Sequence, residues 1–223
     1  MHYFFDSGFP SGALAHSFGF ETFCARFSSK SLYQASNWIK NYMYFSLWHG
    51  DLENFSRCYE LLDKTRTEDY EKQQVKSLVA LDKQLHVTRT TAESRQAQES
   101  LTKALMRSSA QFFDAPDISV MSAQFQEPST LLGILANKRQ WDMSTTRVLF
   151  LMRELVMLTS VLVRYGKIGQ SQQLTIISDL TKTAAALARE RPSFTRNAGS
   201  RASIEVELDQ IDHTHLTPRL FQS

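Results

Sequence analysis

Three groupings in the chain carry residue types that could do chemistry. Asp6, His16 and Ser17 lie close together in sequence and offer the acid, base and hydroxyl of a nucleophilic triad. Nothing around Ser17 looks like a nucleophile elbow, which sets the triad aside. His16, Glu21 and Glu93 could instead line a small-molecule pocket in a helical-bundle enzyme, provided the fold makes a deep cavity with converging polar groups. Asp212-His213-Thr214-His215 is the best metal candidate. On an extended segment its alternating histidines would put both rings on one side, and imidazole suits Ni²⁺ or Zn²⁺. Further ligands are not evident, so histidines facing solvent or a partner are the preferred reading and no metal is assigned. There is no G-x-x-x-x-G-K-[ST] loop to cradle phosphates, and no paired E-x-x-H of a di-iron bundle. Without such a loop the chain should not hydrolyse nucleotides itself, and no catalytic residue and no cofactor are assigned.

Helices must position these residues. Only 8 glycines and 5 prolines occur in 223 residues, which favours long helices over many-turned β structure. An apolar fraction of 42% and a charged fraction of 22% are ordinary for a globular protein, and a net charge of +2 gives no basic face for nucleic acid. Periodicity predicts helices over 12–26, from Ser31 to His49, over 52–64, 70–89 and from Thr90 through Phe112, the last opened by a Thr90/Glu93 capping box. His49-Gly50-Asp51 reads as a helix stop. Arg89 with Glu93, and Asp82 with nearby lysines, read as ordinary helix-face pairs. A loop is expected over 113–128, then a short helix to Lys138. A central helix, apolar almost all round, opens at Ser144-Thr145-Thr146; its Arg153 and Glu154 need a polar gap or partners. A glycine-marked turn at 165–169 leads to a last long helix closed by Pro192. Cys24 and Cys58 read as buried free thiols, and His2-Tyr3-Phe4-Phe5 as docked on the core or a partner. No signal peptide or membrane span is visible, so a soluble cytoplasmic protein is expected.

The opening stretch from Asp6 to Glu21 reads as a turn followed by a closely packed helix start. Its wording resembles the opening signature of the UreF family of urease accessory proteins, D-S-x-F-P-T-G-G-F-A-H-S-x-G-L-E. Asp6, Ser7, Phe9, Pro10, Gly12, Ala15, His16, Ser17, Gly19 and Glu21 match it. Thr91, Glu93 and Arg95, after Asp82 and Leu85, resemble the family's T-x-E-x-R element. Ile168, Gly169 and Gln170 resemble its P-L-G-Q turn. His213, Arg219, Leu220, Phe221 and Ser223 match its ending, R-H-E-x-x-x-S-R-L-F-x-S. Ala13, Thr102, Lys167 and Asp212 depart from the pattern, and no histidine-bearing segment is found within 113–128.

The resemblance implies an all-α, compact helical bundle over 1–192, with a flexible C-terminal tail, 193–223, that orders on a partner. It implies an adaptor that binds the accessory protein UreD (UreH), recruits the GTPase UreG and reaches the urease apoprotein through that complex for GTP-dependent nickel insertion. A homodimer is implied as well, without nucleic acid or membrane. On this reading His213, Arg219, Leu220, Phe221 and Ser223 bind the partner. The Asp6 to Glu21 residues, with Glu93, Arg95, Gly169 and Gln170, shape the fold and its contacts. The rival readings are the pocket enzyme above and a degenerate scaffold retained without urease.

Overall fold

A computed structural model describes residues 2–9, 16–26, 32–62, 68–110, 124–191 and 203–222. Its helices are α1 (Phe20–Arg26), α2 (Leu32–Asn41), a π-wound stretch (Tyr42–Leu52), α3 (Glu53–Leu61), α4 (Glu68–His86), α5 (Ala92–Ala110), α6 (Pro128–Lys138), α7 (Met143–Arg164), α8 (Gln170–Arg189) and α9 (Ile204–His213). A 3₁₀ turn, His2–Phe5, precedes them. The described residues contain no strand, and the class is all-α. None of the described helices is long and apolar enough to cross a membrane.

The core is built on two axes. One is α2, the π-wound stretch and α3, which follow one another without a break. Trp38, Ile39, Tyr42, Met43, Leu47, Leu52 and Phe55 are buried along it. His49-Gly50-Asp51 therefore does not stop a helix. A mid-helix glycine costs only about 1 kcal/mol. That is small beside the burial of Tyr42, Met43, Ser46, Leu47, Trp48, Gly50, Asp51 and Leu52 in the same stretch. The i→i+5 winding of such a stretch re-aims side chains relative to an α-helix. The other axis is α7, buried on most sides through Phe150, Leu151, Leu155, Met157, Leu158, Val161 and Leu162, as its apolar pattern predicts. α8 packs along α7, and α6 along α3. Gly133 of α6 makes the second contact possible: a Cβ there would lie 2.5 Å from the carbonyl oxygen of Phe55.

Helix ends follow local chemistry, sometimes one position from the predicted cap. Asp142, not Ser144, caps α7 by accepting the Thr145 amide at 2.7 Å. Thr91, not Thr90, caps α5 by accepting the Ser94 amide at 3.0 Å. α7 ends at Tyr165 with Gly166 left-handed (φ 67°), and Gly169 caps α8, so the glycine-marked turn is where the sequence places it. Arg147 is spent on the far end of α8. Its Nε donates to the Ala188 carbonyl at 2.7 Å and its NH2 to that of Glu190, answering carbonyls a helix end leaves open. The expected stop at Pro192, the helix start at Ser31 and the loop over 113–123 lie outside the described residues. Cys24 and Cys58 are free and buried, and burial pushes both thiols up to about 12.

Candidate functional site

The opening signature divides at its undescribed middle, residues 10–15, which include Pro10 and Gly12. Its first half is a turn: Asp6 accepts the Gly8 amide on Oδ1 at 2.8 Å and the Phe9 amide on its carbonyl at 3.1 Å. Asp6 is exposed and Ser7 half-buried, while Phe9 packs edge-on against Phe4, and Phe4 and Phe5 cover Trp141. The apolar N-terminus thus docks on its own core. In the second half the described residues 16–19 are not helical, and α1 begins at Phe20. Phe18 (φ 52°) and Gly19 (φ 86°) take left-handed conformations that a right-handed helix cannot contain. A Cβ on Gly19 would lie 2.8 Å from the Gln210 amide nitrogen, so glycine is what lets this corner meet α9.

That corner seats Glu21, fully buried in the first turn of α1. Its Oε1 accepts the Leu220 amide at 2.6 Å, and its Oε2 accepts the Phe221 amide at 3.0 Å. Oε2 also lies 3.0 Å from Nε2 of His213, the last residue of α9. Nδ1 of His213 is 2.9 Å from Glu93 Oε2, and Arg219 donates to the other Glu93 oxygen at 2.7 Å. Glu21, His213, Glu93 and Arg219 form one knot that joins α1, α9, α5 and the C-terminal residues. Arg164, at the end of α7, places its guanidinium 5.7 Å from the centre of the buried Phe221 ring. His16 is buried beside this site; burial lowers its basicity and the Glu93 charge partly restores it. Ser17 is buried, and its carbonyl accepts the Phe20 amide at 3.0 Å.

α9 is held by a second clamp. Asp209 accepts from Trp38 Nε1 at 2.8 Å and from Arg26 at 2.9 Å, and Arg26 also pairs with Asp212. Burial raises the Asp209 carboxyl, against the pull of these two donors. The opposite face of α9 carries Ile204, Leu208 and Ile211 at exposures of 78%, 51% and 40%. Their spacing puts them on one stripe, and Leu220 is exposed as well.

These contacts correct the metal reading of 212–215. His213 ends a helix, its ring lies between two carboxylates, and Asp212 is paired, so there is no extended segment with both rings on one side. No group of metal-ligating side chains among the described residues is arranged to hold an ion. The helix-face pairs are corrected too. Arg89, 1% exposed, turns inward from the junction of α4 and α5 to Asp51 of the π-wound stretch (2.5 Å) and to the fully buried Glu127. Burial opposes its charge, but Asp51 and Glu127 more than offset this and raise it. His86 Nδ1 is 2.9 Å from Glu127, and Arg95 donates to the Arg89 carbonyl at 2.5 Å. Asp82 accepts the amides of Gln126 and Glu127 at 2.9 and 3.1 Å rather than pairing with lysine. Spacing could not find this network, because its members come from separate elements.

Arg153 and Glu154 face a small gap of mixed lining, with Phe18, Leu47, Phe150 and Met157 among its apolar walls. It has a volume of about 30 Å³ and is also lined by Asp51, Gln98 and Ser129. That is room for water rather than for a substrate. A shallow groove of about 480 Å³ lies elsewhere, between α3 and α4. The acceptors of Glu21 and Glu93 are taken by the chain's own C-terminal residues, so His16, Glu21 and Glu93 make a packed joint instead of an open pocket. Gly169 and Gln170 open α8 at the exposed surface, where the Gly169 amide donates to Gln172 at 3.1 Å. Ser223 lies outside the described residues.

Comparison with known proteins agrees with the signatures. The UreF family model matches residues 30–181. The urease accessory protein UreF of Ureaplasma urealyticum serovar 10 (strain ATCC 33699 / Western) is 26% identical over 236 residues, covering 98% of this chain and 93% of that protein. Glu93 falls inside the span matched by the family model, while Glu21, His213 and Arg219 lie beyond its ends. With more than half of its length matched in this way, the chain belongs to the UreF family.

Proposed function

We propose that this chain serves urease maturation as an adaptor without catalytic activity of its own. It binds a UreD (UreH)-type accessory protein and recruits a UreG-type GTPase, so that nickel, as cargo, is delivered to the urease apoprotein in a GTP-dependent step. It works as a cytoplasmic homodimer. Family membership supports the urease accessory role. The observation that carries the adaptor reading is the convergence of the two end motifs: Glu21 of the opening holds the amides of Leu220 and Phe221 of the ending. The joint leaves Leu220 65% exposed, and it ties Arg219, whose side chain stays 42% exposed, to Glu93.

Leu220, Arg219 and the Ile204–Leu208–Ile211 stripe make a surface with apolar anchors and one arginine. That composition suits a protein interface. Phe221 and His213 contribute from beneath, by fixing the surface in place. The rival pocket enzyme has no observation in its favour.

The test is co-expression with the cognate UreD-type protein, then pull-down and sizing. Removing residues 216–223 should abolish the complex, but it also removes the knot. Leu220→Glu is the sharper variant, since it keeps the backbone amide that Glu21 accepts. Loss of the complex by a fully helical Leu220→Glu protein supports the reading. Undiminished binding by both variants refutes it.

A further inference from the structure

His213 is held in an unusual way. Its two ring nitrogens each face a carboxylate oxygen, Glu93 at 2.9 Å and Glu21 at 3.0 Å, and its side chain is 1% exposed. An ionised carboxylate only accepts hydrogen bonds, so with Glu21 and Glu93 both ionised each ring nitrogen is placed to donate, as only an imidazolium can. Glu21 already takes two backbone amides, and Glu93 already takes Arg219. Both are therefore committed as acceptors. The two negative charges of the knot are balanced by His213 and Arg219. Removing the imidazole proton would leave a bare nitrogen lone pair against a carboxylate in a buried site, which is repulsive and unsatisfied.

We propose that His213, Glu21 and Glu93 form a proton-operated latch that holds residues 219–221 against the bundle while the imidazole is charged and releases them when it is neutral. Imidazole changes charge in the range of about pH 5 to 8, and no other unperturbed side chain does so. The closed state binds one more proton than the open state, so raising the pH favours opening. Closure is therefore greatest where the imidazole is charged.

The charged and titratable groups around the ring are consistent with this. α1 contributes Glu21, α5 contributes Glu93, and the C-terminal residues contribute Arg219. His16 comes from the turn before α1 and senses Glu93. Arg164 and Tyr165 come from the end of α7, one over Phe221 and the other within the field of Glu21. On α9 itself, Asp209 and Asp212 are engaged by Arg26. Of these, His213 alone touches both carboxylates that hold the C-terminal residues. The inference concerns the chain by itself and does not depend on the partner.

The experiment uses the full chain labelled with ¹⁵N. Imidazole nitrogen shifts report the charge on His213, assigned by its absence from His213→Gln. Hydrogen exchange of the Leu220 and Phe221 amides, corrected for the intrinsic rate at each pH, reports closure. At pH 6 both ring nitrogens should be protonated and the two amides protected. At pH 8.5 protection should fall by about tenfold or more as the ring loses its proton. Amides of α7 should stay protected throughout. Glu93→Gln removes one demand for the ring proton and should move the change to lower pH. His213→Gln should show weak protection and little pH dependence. A neutral His213 ring at pH 6, or protection equal at pH 6 and 8.5 in the wild-type chain, overturns the proposal, whether or not a variant folds.

Discussion

Replacing Arg89 with methionine tests whether the buried network, rather than simple packing, holds the α4–α5 junction to the rest of the bundle. Methionine keeps a long unbranched side chain in a space where Arg89 is 1% exposed, so little volume is lost. What is lost is the cation between Asp51 and Glu127, at 6% and 0% exposure. The two buried carboxylates would lose the guanidinium that lies between them, leaving His86 beside Glu127, and breaking a buried pair in this way costs about 3–5 kcal/mol. For a chain of this size that corresponds to a fall in Tm of roughly 6–20 °C. The assay is urea unfolding followed by circular dichroism, repeated at pH 7.5 and pH 5. A cost that comes from uncompensated charge should shrink by about 1 kcal/mol or more at the lower pH, where the buried pair of carboxylates can take up a proton. Adding Glu127→Gln to Arg89→Met should recover part of the loss at pH 7.5. A destabilisation below about 1 kcal/mol, or one that is the same at both pH values and unaffected by the second substitution, would refute the reasoning.

Two further outcomes are expected. Gly133→Ala places a methyl 2.5 Å from the Phe55 carbonyl oxygen and 3.1 Å from Cys58 Cβ. The strain of about 1–3 kcal/mol should outweigh a gain in helix propensity of about 1 kcal/mol. A variant that melts at or above the wild-type temperature would show that α3 and α6 are less tightly joined than their backbones suggest. Asp82 is held at about 6, mainly by burial and also by the Glu127 charge, against the pull of the Gln126, Thr130 and Glu127 hydrogen bonds. Its native form therefore binds the proton more tightly than the unfolded form, so stability from this group is fully present below about pH 4 and is lost as the pH rises to about 6, by roughly 3 kcal/mol. Asp82→Asn should be the less stable protein at pH 4, having lost one side-chain oxygen that accepts a backbone amide, and should close or reverse that gap by pH 7. A stability difference that does not change between pH 4 and 7 would count against the burial argument.

The pattern of apolar residues was enough to read an all-α bundle, because a helix that must bury one face repeats its apolar residues at the helix period. It was enough to mark α7 as the central helix, since only a buried helix can be apolar almost all round. The turn at Gly166 and Gly169 was legible for a local reason: helix caps are decided by a few neighbouring atoms. The family itself was legible in the wording of the two ends, although the span matched by the family model excludes both.

Other features were beyond the reach of a linear reading. Glycine at position 50 looks like a stop, but burial along the π-wound stretch outweighs one residue's propensity. Glu93 reads as half of a capping box and as the partner of Arg89. It is neither, because His213 and Arg219 arrive from more than a hundred positions away, and Arg89 finds Asp51 and Glu127 inside. Phe221 reads as an exposed anchor and is instead buried beneath Arg164. Helix period, caps and motif wording depend on residues near in sequence, and the sequence by itself determined those. The partners of buried charges depend on which distant segments converge once the core has formed, and only the tertiary structure could decide them.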